Sequence, residues 1–326
     1  MIMNLARELQ ARDPEKDAAK LSERLSFFHD KEPERQKRPI EEEHLQPPWP
    51  GESTLPEIDA NNLDVAGLKS AIATSGALIV RGLLQENEVT HFRDVVDQVV
   101  DRCVEQEDDE GNPTAPDGFY RNPPQAIKQL LPYPKLRNSR GFHRQSGSAM
   151  CIESASAAEQ LLEFYSAKGL KTLIEAYLGQ PPCLSALKWV LRRSKLPVAE
   201  AGWHQDGAFM GNDINSINMW IPLDTCGGET GAPGLDVVPR RLTEIVRPGE
   251  DSAVFSWSVG GEDIDKTFGA DTVISPEFEA GDAFFFDHFY LHRTQFREDF
   301  SRPRYAIETW FFDSVNFPAN QIPLTW

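Results

Sequence analysis

The chain has 326 residues, a formal net charge of −18 and 40% hydrophobic residues. This composition is typical of a soluble globular protein that is long enough to bury a sizeable core. The strong negative charge disfavours nucleic acid and anionic membranes as partners. No apolar run approaches the length of a membrane span, so we expect neither kind of partner.

The N-terminal residues lack both the apolar centre of a secretory signal and the acid-poor composition of a mitochondrial presequence. The four cysteines are widely separated and form no paired metal-binding spacing: Cys103, Cys151, Cys183 and Cys226. They are typical of reduced thiols, and we therefore expect a cytoplasmic protein.

Residues 1–54 differ from the rest of the chain because they are dense in charge and contain a cluster of prolines. Apolar residues at helical spacing predict short amphipathic helices in this stretch: Leu5, Leu9, Leu21, Leu25 and Phe28. We predict an N-terminal arm over 1–54 that packs on the body or on a partner. A single domain is predicted over 55–326.

The first predicted elements of that domain are a strand and a helix. A short buried strand is expected over Gly76–Arg81, after a helical stretch. A helix follows near Asn87, where apolar residues recur at helical spacing. The next stretch, 105–124, is acidic and then punctuated by glycine and proline, which predicts a long loop.

The second half of the domain changes from helices to strands. A helical region is predicted to begin at Ser156, which has capping-box spacing to Glu159, with a break at Gly169 and an end at Gly179. Short apolar runs separated by turn residues then predict strands at Leu184–Leu191, Ser216–Leu223, Leu235–Val238, Ala283–Phe286 and Tyr305–Phe312. Many short strands of this kind indicate a β-sandwich or jelly roll, whose mouth suits a metal site.

Three residues in this strand-rich half form a candidate metal site. His204 and Asp206 are two residues apart, and His292 lies far downstream. Two histidines and one carboxylate are the ligands that hold mononuclear Fe(II) with open coordination positions. Residues i and i+2 of an extended segment share a face, so His204 and Asp206 can hold one ion together. The His-x-acid pattern alone is weak, because 7 histidines and 51 acidic residues supply about one such pair by chance.

Three blocks of sequence resemble the phytanoyl-CoA dioxygenase family of Fe(II)- and 2-oxoglutarate-dependent oxygenases. They are Trp203–Gly207; Asn218–Asp224 with Gly231, Ala232 and Val237–Arg240; and Gly281, Asp282, His292–Thr294 and Arg304–Ile307. Each block alone is weak, but their order and intervals make the resemblance specific. It covers roughly 55–312.

The resemblance implies a fold and a metal site. The fold would be a β-rich α+β fold, with a double-stranded β-helix (jelly-roll) core over about 184–313 and flanking helices drawn mainly from the N-terminal half. His204, Asp206 and His292 would be the ligands of Fe(II).

The resemblance also implies a site for 2-oxoglutarate as co-substrate. Arg304 would clamp its distal carboxylate, since a planar guanidinium matches a carboxylate bidentately. Thr294 would add a hydrogen bond to the same carboxylate, and Gln205 and Trp220 would line the pocket. Arg302 competes for the role of Arg304, but the Arg-x-Ala-Ile match favours Arg304.

The implied reaction uses O2 to hydroxylate an unactivated C–H bond of a small organic metabolite, with succinate and CO2 as co-products. An intact Asp206 favours hydroxylation over halogenation, because related halogenases have a small residue at that position. Two alternatives are a zinc hydrolase with the same ligands and a non-catalytic, ligand-binding β-barrel. A zinc hydrolase gives no reason for Arg304 at its spacing.

Several other residues have two interpretations. His288 is expected to be structural or pocket-lining, and Phe209 and Met210 are expected to belong to the core rather than to contact substrate. A substrate lid is one interpretation of Phe119, Tyr120, Arg121 and His143. The basic residues Lys188, Arg192, Arg193 and Lys195 could serve a phosphate-bearing substrate or form a solvated strand end.

Overall fold

Twelve strands are found in the computed structural model, which describes residues 12–28, 31–33, 55–105, 139, 141–247 and 253–326. They are β1 (Glu57–Asp59), β2 (Ala77–Arg81), β3 (Ser148–Met150), β4 (Pro182–Arg193), β5 (Ser216–Pro222), β6 (Cys226–Gly227), β7 (Leu235–Val237), β8 (Glu277–Phe278), β9 (Ala283–Phe286), β10 (His292–Thr294), β11 (Tyr305–Asp313) and β12 (Pro323–Thr325). The five strands predicted from apolar runs are confirmed, each to within two residues at either end.

The helices of the described residues lie mainly before β4. They are α1 (Pro14–Ser26), α2 (Val65–Ser75), α3 (Glu86–Glu105), α4 (Ala155–Ala167), α5 (Leu170–Leu178), α6 (Gly207–Met210) and α7 (Gly261–Phe268). Short 3-10 turns occupy Ala60–Asn62, Cys151–Glu153 and Ala270–Thr272. No helix in this part of the chain is long and apolar enough to cross a membrane.

The main sheet has the strand order β1-β2-β9-β5-β11-β4-β12, and β3 also pairs with β4. Only the β1–β2 pair is parallel in the described residues. Strand β9 is buried along its whole length, as its unbroken apolar run predicts for a strand covered on both faces. β1, β2, β3 and β12 join this sheet from outside the predicted 184–313 core.

Each face of the main sheet packs against a different layer. Helices cover one face, where α2 to α5 share an apolar cluster with Leu78, Ile217 and Ile307 of the sheet. The opposite face carries Trp220 and Trp310, which belong to a second cluster with residues of β7 and β8. Burial of both faces places the interior of the barrel between the main sheet and these shorter strands.

The shorter strands form the second wall of the barrel. β7 pairs with β10, and β6 pairs with β8. Isolated bridges extend this wall: Trp203 pairs with Val259, His204 with His292, and Val237 with Ile274. The two facing walls confirm the predicted jelly-roll core, and both histidines of the candidate metal site lie on the shorter wall.

The predicted break and end of the helical region after β3 are confirmed, but its predicted start is wrong. Gly169 and Gly179 both adopt left-handed φ values, of 75° and 71°, and they separate and end α4 and α5. The N-cap is Ser154 rather than Ser156, because the Ser154 hydroxyl accepts a hydrogen bond from the Ala157 amide at 3.2 Å. Glu159 therefore serves no capping box and instead pairs with Arg24.

Helix α1 packs on the body of the protein, as predicted for the N-terminal arm. Asp13 caps it and Pro14 begins it, while Leu21 and Leu25 are buried against α4 and β12. The Arg24 guanidinium pairs with the buried Glu159 at 2.6 Å. Leu5, Leu9 and the predicted loop at 105–124 lie outside the described residues, and the domain boundary at residue 54 stays a prediction.

Replacing the fully buried Leu21 by alanine tests this docking. We expect Leu21→Ala to lower the free energy of unfolding by about 2–5 kcal/mol, because it leaves a cavity under α1. Lys16→Ala on the same helix should change it by less than about 0.5 kcal/mol, since the Lys16 side chain is 79% exposed. Urea unfolding measures both, and equal effects would show that α1 does not contribute to the core.

Candidate active site

His204, Asp206 and His292 converge between the two walls of the barrel. One ligand atom from each lies within 4.8 Å of the other two, a grouping that could hold a metal ion. The backbones of His204 and His292 exchange hydrogen bonds of 2.9 and 3.0 Å, which fixes the two imidazoles side by side. The Asp206 carboxylate lies 3.6 Å from the Nε2 atom of His292. The sequence-predicted residues therefore form one site.

Both histidines present the same nitrogen to this site. Nδ1 of His204 lies 3.0 Å from the carbonyl oxygen of Gly202, and Nδ1 of His292 lies 3.0 Å from that of Tyr290. A carbonyl can only accept, so each Nδ1 carries the proton and donates it. Each Nε2 then has a free lone pair, as a metal-ligating imidazole requires.

Asp206 reaches the site from a turn rather than from an extended strand. Its backbone is helical, with φ −62° and ψ −24°, and it starts the single turn of α6. The next residue must be small, because a Cβ on Gly207 would lie 2.7 Å from Ile245 and 3.0 Å from the carbonyl oxygen of His288. The shared site thus depends on this tight turn, and not on the common strand face that the spacing suggested.

Burial shifts the pKa of two of the three side chains. It lowers the pKa of His204 well below its ordinary value, and the neighbouring His292 acts in the same direction. Burial raises the pKa of Asp206, while the charges of Lys188 and His292 oppose that rise. Neutral imidazoles and a buried carboxylate fit a divalent cation, which supplies the charge that burial disfavours on Asp206 alone.

Arg304 lies buried in the same barrel interior without a carboxylate partner among the described residues. It is 2% exposed, and its Nη1 donates to the carbonyl oxygen of Gly234 at 2.8 Å. Its Nε has no hydrogen-bond partner in the part of the chain that the structure describes. Burial lowers the pKa of Arg304 to about 10, so the guanidinium stays charged at neutral pH. A buried cation with a free donor fits the distal carboxylate of a dicarboxylic acid.

Trp220 contacts this guanidinium, and Thr294 lies on a strand close to it in the sheet register. The Arg304 guanidinium carbon lies 5.5 Å from the centroid of the Trp220 ring, within reach of a cation–π contact. Thr294 pairs with Leu235, the residue after the Gly234 carbonyl that Arg304 contacts. The Trp220 ring is therefore placed beside the guanidinium, and the role of Thr294 toward a ligand of Arg304 stays a prediction.

Gln205 is bound by backbone groups of two other segments. Its amide nitrogen donates to the carbonyl oxygens of Phe289 and Glu244 at 2.6 and 2.9 Å, and its amide oxygen accepts from the Val246 amide at 2.7 Å. These bonds tie the ligand-bearing turn to the segments around it. The predicted role of Gln205 toward the co-substrate stays a prediction.

Three other basic residues considered in the sequence analysis contact neighbouring residues of the protein. His288 contacts Ser216 at 2.8 Å and the Asn212 carbonyl at 3.3 Å, and it lies outside the metal-binding group, as predicted. Arg302 donates to the carbonyl oxygen of Thr225 at 2.5 Å, away from the guanidinium of Arg304. His143 is buried, and that burial lowers its pKa to about 3. Phe119, Tyr120 and Arg121 lie outside the described residues.

Sequence reasoning missed the parts of the site supplied by β4, β11 and 255–257. Lys188 Nζ lies 3.7 Å from Oδ1 of Asp206, the carboxylate oxygen that does not face His292. The Trp257 ring lies 5.3 Å from the ring of His204. Glu308 accepts two hydrogen bonds from Arg192, at 2.6 and 3.0 Å. Burial alone would raise the pKa of Glu308, but the charges of Arg192 and Lys188 outweigh it and hold the pKa at about 2. The one available signal was the basic residues of β4, which a solvated strand end also explained.

Comparison with known proteins gives one family and several similar structures. The sequence matches the family described as phytanoyl-CoA dioxygenase (PhyH) over residues 72–297. No curated protein matches the chain. The solved structure of the epimerase SnoN in complex with Fe3+, alpha ketoglutarate and nogalamycin RO is similar, with 14% identity over 77% of this chain and 84% of that chain and a TM-score of 0.47.

Two further solved structures are similar at the same level. EvdO2 from Micromonospora carbonacea var. aurantiaca, complexed with 2-oxoglutarate, shares 15% identity over 78% of this chain and 90% of that chain, with a TM-score of 0.44. EctD from S. alaskensis, with 2-oxoglutarate and 5-hydroxyectoine, shares 13% identity over 76% of this chain and 75% of that chain, with a TM-score of 0.49.

The family match carries the assignment. It spans more than two thirds of the chain and includes the segments that bear His204, Asp206 and His292. Those three residues meet in one buried site of a jelly-roll barrel, with a charged arginine in the same interior. The chain belongs to the phytanoyl-CoA dioxygenase family and is a 2-oxoglutarate-dependent oxygenase, as the sequence resemblance predicted.

Proposed function

We propose that this oxygenase uses Fe(II), 2-oxoglutarate and O2 to hydroxylate an unactivated C–H bond of a small organic metabolite. One observation carries the proposal. The His204, Asp206 and His292 group lies in the same barrel interior as the guanidinium of Arg304, which has no carboxylate partner among the described residues. A metal and a dicarboxylic acid together account for both features. When bound, Fe(II) supplies the oxidising chemistry, with succinate and CO2 formed from 2-oxoglutarate.

The residues of the chain would bind the metal and 2-oxoglutarate, orient them and exclude water from the site. His204 and His292 each offer Nε2 to the metal because their Nδ1 protons are held by backbone carbonyls. Asp206 completes a ligand set that leaves positions open for other groups. Arg304, which lies against Trp220, would hold the distal carboxylate of 2-oxoglutarate, and Thr294 would add a hydrogen bond to it. The surrounding apolar cluster excludes water and so strengthens these charge interactions.

The charge of the chain and the burial of its cysteines support the remaining parts of the proposal, which are a small-molecule substrate and a cytoplasmic location. An acidic chain, with no helix suited to crossing a membrane among the described ones, is consistent with a small-molecule substrate and a cytoplasmic location. The four cysteines are all buried and form no disulfide bond in the described part of the chain, as expected for reduced thiols.

Product analysis under labelled O2 tests this function. The purified enzyme with Fe(II), 2-oxoglutarate and a panel of metabolites should release succinate and give a product heavier by one labelled oxygen atom. Asp206→Ala should release no succinate above background, because the open-sided ligand set is lost. A product without the labelled oxygen would argue against hydroxylation, and succinate release by Asp206→Ala at the normal rate would contradict the assigned site.

A further inference from the structure

The inner face of β4 carries positive charge toward the candidate active site. Lys188 and Arg192 are four residues apart on this strand, so their side chains share a face. The Lys188 ammonium lies 3.7 Å from the Asp206 carboxylate, and Arg192 pairs at 2.6 Å with Glu308 on the neighbouring strand β11. Lys188 and Arg192 therefore line the barrel interior, whereas Arg193 of the same strand pairs with Asp97 and Asp101 of α3.

Lys188 differs from Arg192 because its ion pair with Asp206 is long, at 3.7 Å, and no hydrogen bond accompanies it among the described residues. Arg192 donates two hydrogen bonds to Glu308. The Lys188 ammonium donates none to any described residue, although its side chain is only 20% exposed. Its neighbours are the Oδ1 atom of Asp206, 3.7 Å away, and the face of the Phe209 ring, 4.2 Å away. A largely buried ammonium with three unused donors favours an anionic ligand.

The charge of the whole site also favours one more anion. Among the described residues, Lys188, Arg192 and Arg304 face two carboxylates, Asp206 and Glu308. Fe(II) and 2-oxoglutarate add equal and opposite charges, so one positive charge is left over. This surplus stands out in a chain whose net charge is −18. A monoanion would complete the balance.

An exposed aromatic rim leads from the metal site to solvent. Trp257 lies 5.3 Å from the His204 ring and 5.4 Å from the Phe209 ring. Phe255 stacks on Trp257 at 4.8 Å, and Phe142 follows at 6.4 Å from Phe255. Phe142 and Phe255 are 45% and 36% exposed, among the most exposed large hydrophobic residues described. An apolar surface of this kind beside a site marks a place where an apolar ligand binds.

We propose that the substrate of this enzyme carries a carboxylate on an apolar body. The carboxylate binds the ammonium of Lys188, and the apolar body lies along Phe209, Trp257 and Phe255. A carboxylate fits better than a phosphate, because the site offers one free ammonium and one surplus charge rather than a cluster of guanidinium groups. This inference rests on the proposed function and adds the substrate class to it.

A matched pair of probes tests the proposal on the full-length enzyme under anaerobic conditions, with Fe(II) and saturating 2-oxoglutarate. The probes are hydrocinnamate and its neutral amide, and their binding is followed by calorimetry and by the visible charge-transfer band. Saturating 2-oxoglutarate keeps the probes away from Arg304. We expect the wild-type protein to bind the carboxylate about 10–100-fold more tightly than the amide, as a charged hydrogen bond predicts.

Substitutions then assign the preference to one lysine. Lys188→Met should abolish the preference, while Lys188→Arg should keep most of it. Lys266→Met is the matched control and should leave it unchanged, because Lys266 is 69% exposed and pairs with Glu262 on the surface. Equal binding of the two probes by the wild type, or an undiminished preference in Lys188→Met, would overturn the proposal.

Two further outcomes are decisive. Tighter Lys188-dependent binding of phenylpropyl phosphate than of hydrocinnamate would overturn the carboxylate assignment. A Lys188→Met protein that loses affinity for Fe(II) but keeps the probe preference would show that Lys188 only supports Asp206. Failure of this inference is separable from failure of the proposed function: in the first case the charge-transfer band forms without probe discrimination, and in the second the wild type forms no band.

Discussion

His292→Ala is expected to abolish iron binding and succinate release. It removes one of the three side chains that we propose as metal ligands and leaves only His204 and Asp206 in the group. Loss of an outer partner of a metal ligand already costs about 10–100-fold in affinity, so loss of the ligand itself should exceed that. Equilibrium dialysis against Fe(II) and a succinate assay measure the two effects.

His288→Asn is the matched control for this substitution. His288 is four residues away, is equally buried and contacts Ser216 and Asn212 instead of the metal-binding group. We expect some loss of stability, because a buried side chain loses its contacts, but Fe(II) affinity within a few-fold of wild type. Equal loss of iron in both variants would mean that packing, and not ligation, explains the effect of His292.

Arg304→Ala is expected to weaken 2-oxoglutarate binding by about 30- to 5,000-fold. The buried guanidinium has no carboxylate partner among the described residues, so the distal carboxylate of the ligand would lose the charged partner that we propose for it. Truncating one partner of such a pair costs about 2–5 kcal/mol, which gives that range. The measurement is a titration of the Fe(II)-loaded protein with 2-oxoglutarate. Fe(II) affinity itself should hold, because Arg304 contacts none of the three ligands.

Two companion variants sharpen this result. Arg302→Ala removes the neighbouring arginine, which contacts the Thr225 carbonyl, and should leave 2-oxoglutarate affinity within a few-fold of wild type. Arg304→Lys keeps the charge but loses the planar fork, so it should bind 2-oxoglutarate more tightly than Arg304→Ala and less tightly than wild type. A stronger effect at Arg302 than at Arg304 would reassign the clamp.

The strand-rich half was predictable from strong local signals, and the metal-binding group was predictable from the order and intervals of three motif blocks that are each weak alone. Apolar runs between turn residues located β4, β5, β7, β9 and β11, since strands covered on both faces are continuously hydrophobic. The order of three motif blocks brought His204 and His292 together, and the structure pairs their backbones directly. Buried strands and metal ligands leave patterns in the sequence itself.

Other features depend on contacts between distant segments, which sequence patterns do not show. The capping-box spacing at Ser156 was outweighed by the Ser154 cap, and Glu159 is held instead by Arg24 from the N-terminal helix. Asp206 was placed on an extended strand, whereas its backbone is helical and Gly207, which has no Cβ to clash with His288, follows it at the start of α6. Lys188 had a solvated interpretation because nothing local revealed that Asp206 lies opposite.

Anaerobic titration of the metal-free protein with Fe(II) and then 2-oxoglutarate tests the central claim most directly. The claim predicts a weak visible metal-to-ligand charge-transfer band that forms only when both are present and weakens strongly in Arg304→Ala. Iron loading without any band would contradict the assigned 2-oxoglutarate site, and a zinc hydrolase or a ligand-binding barrel would then explain the His204, Asp206 and His292 group better.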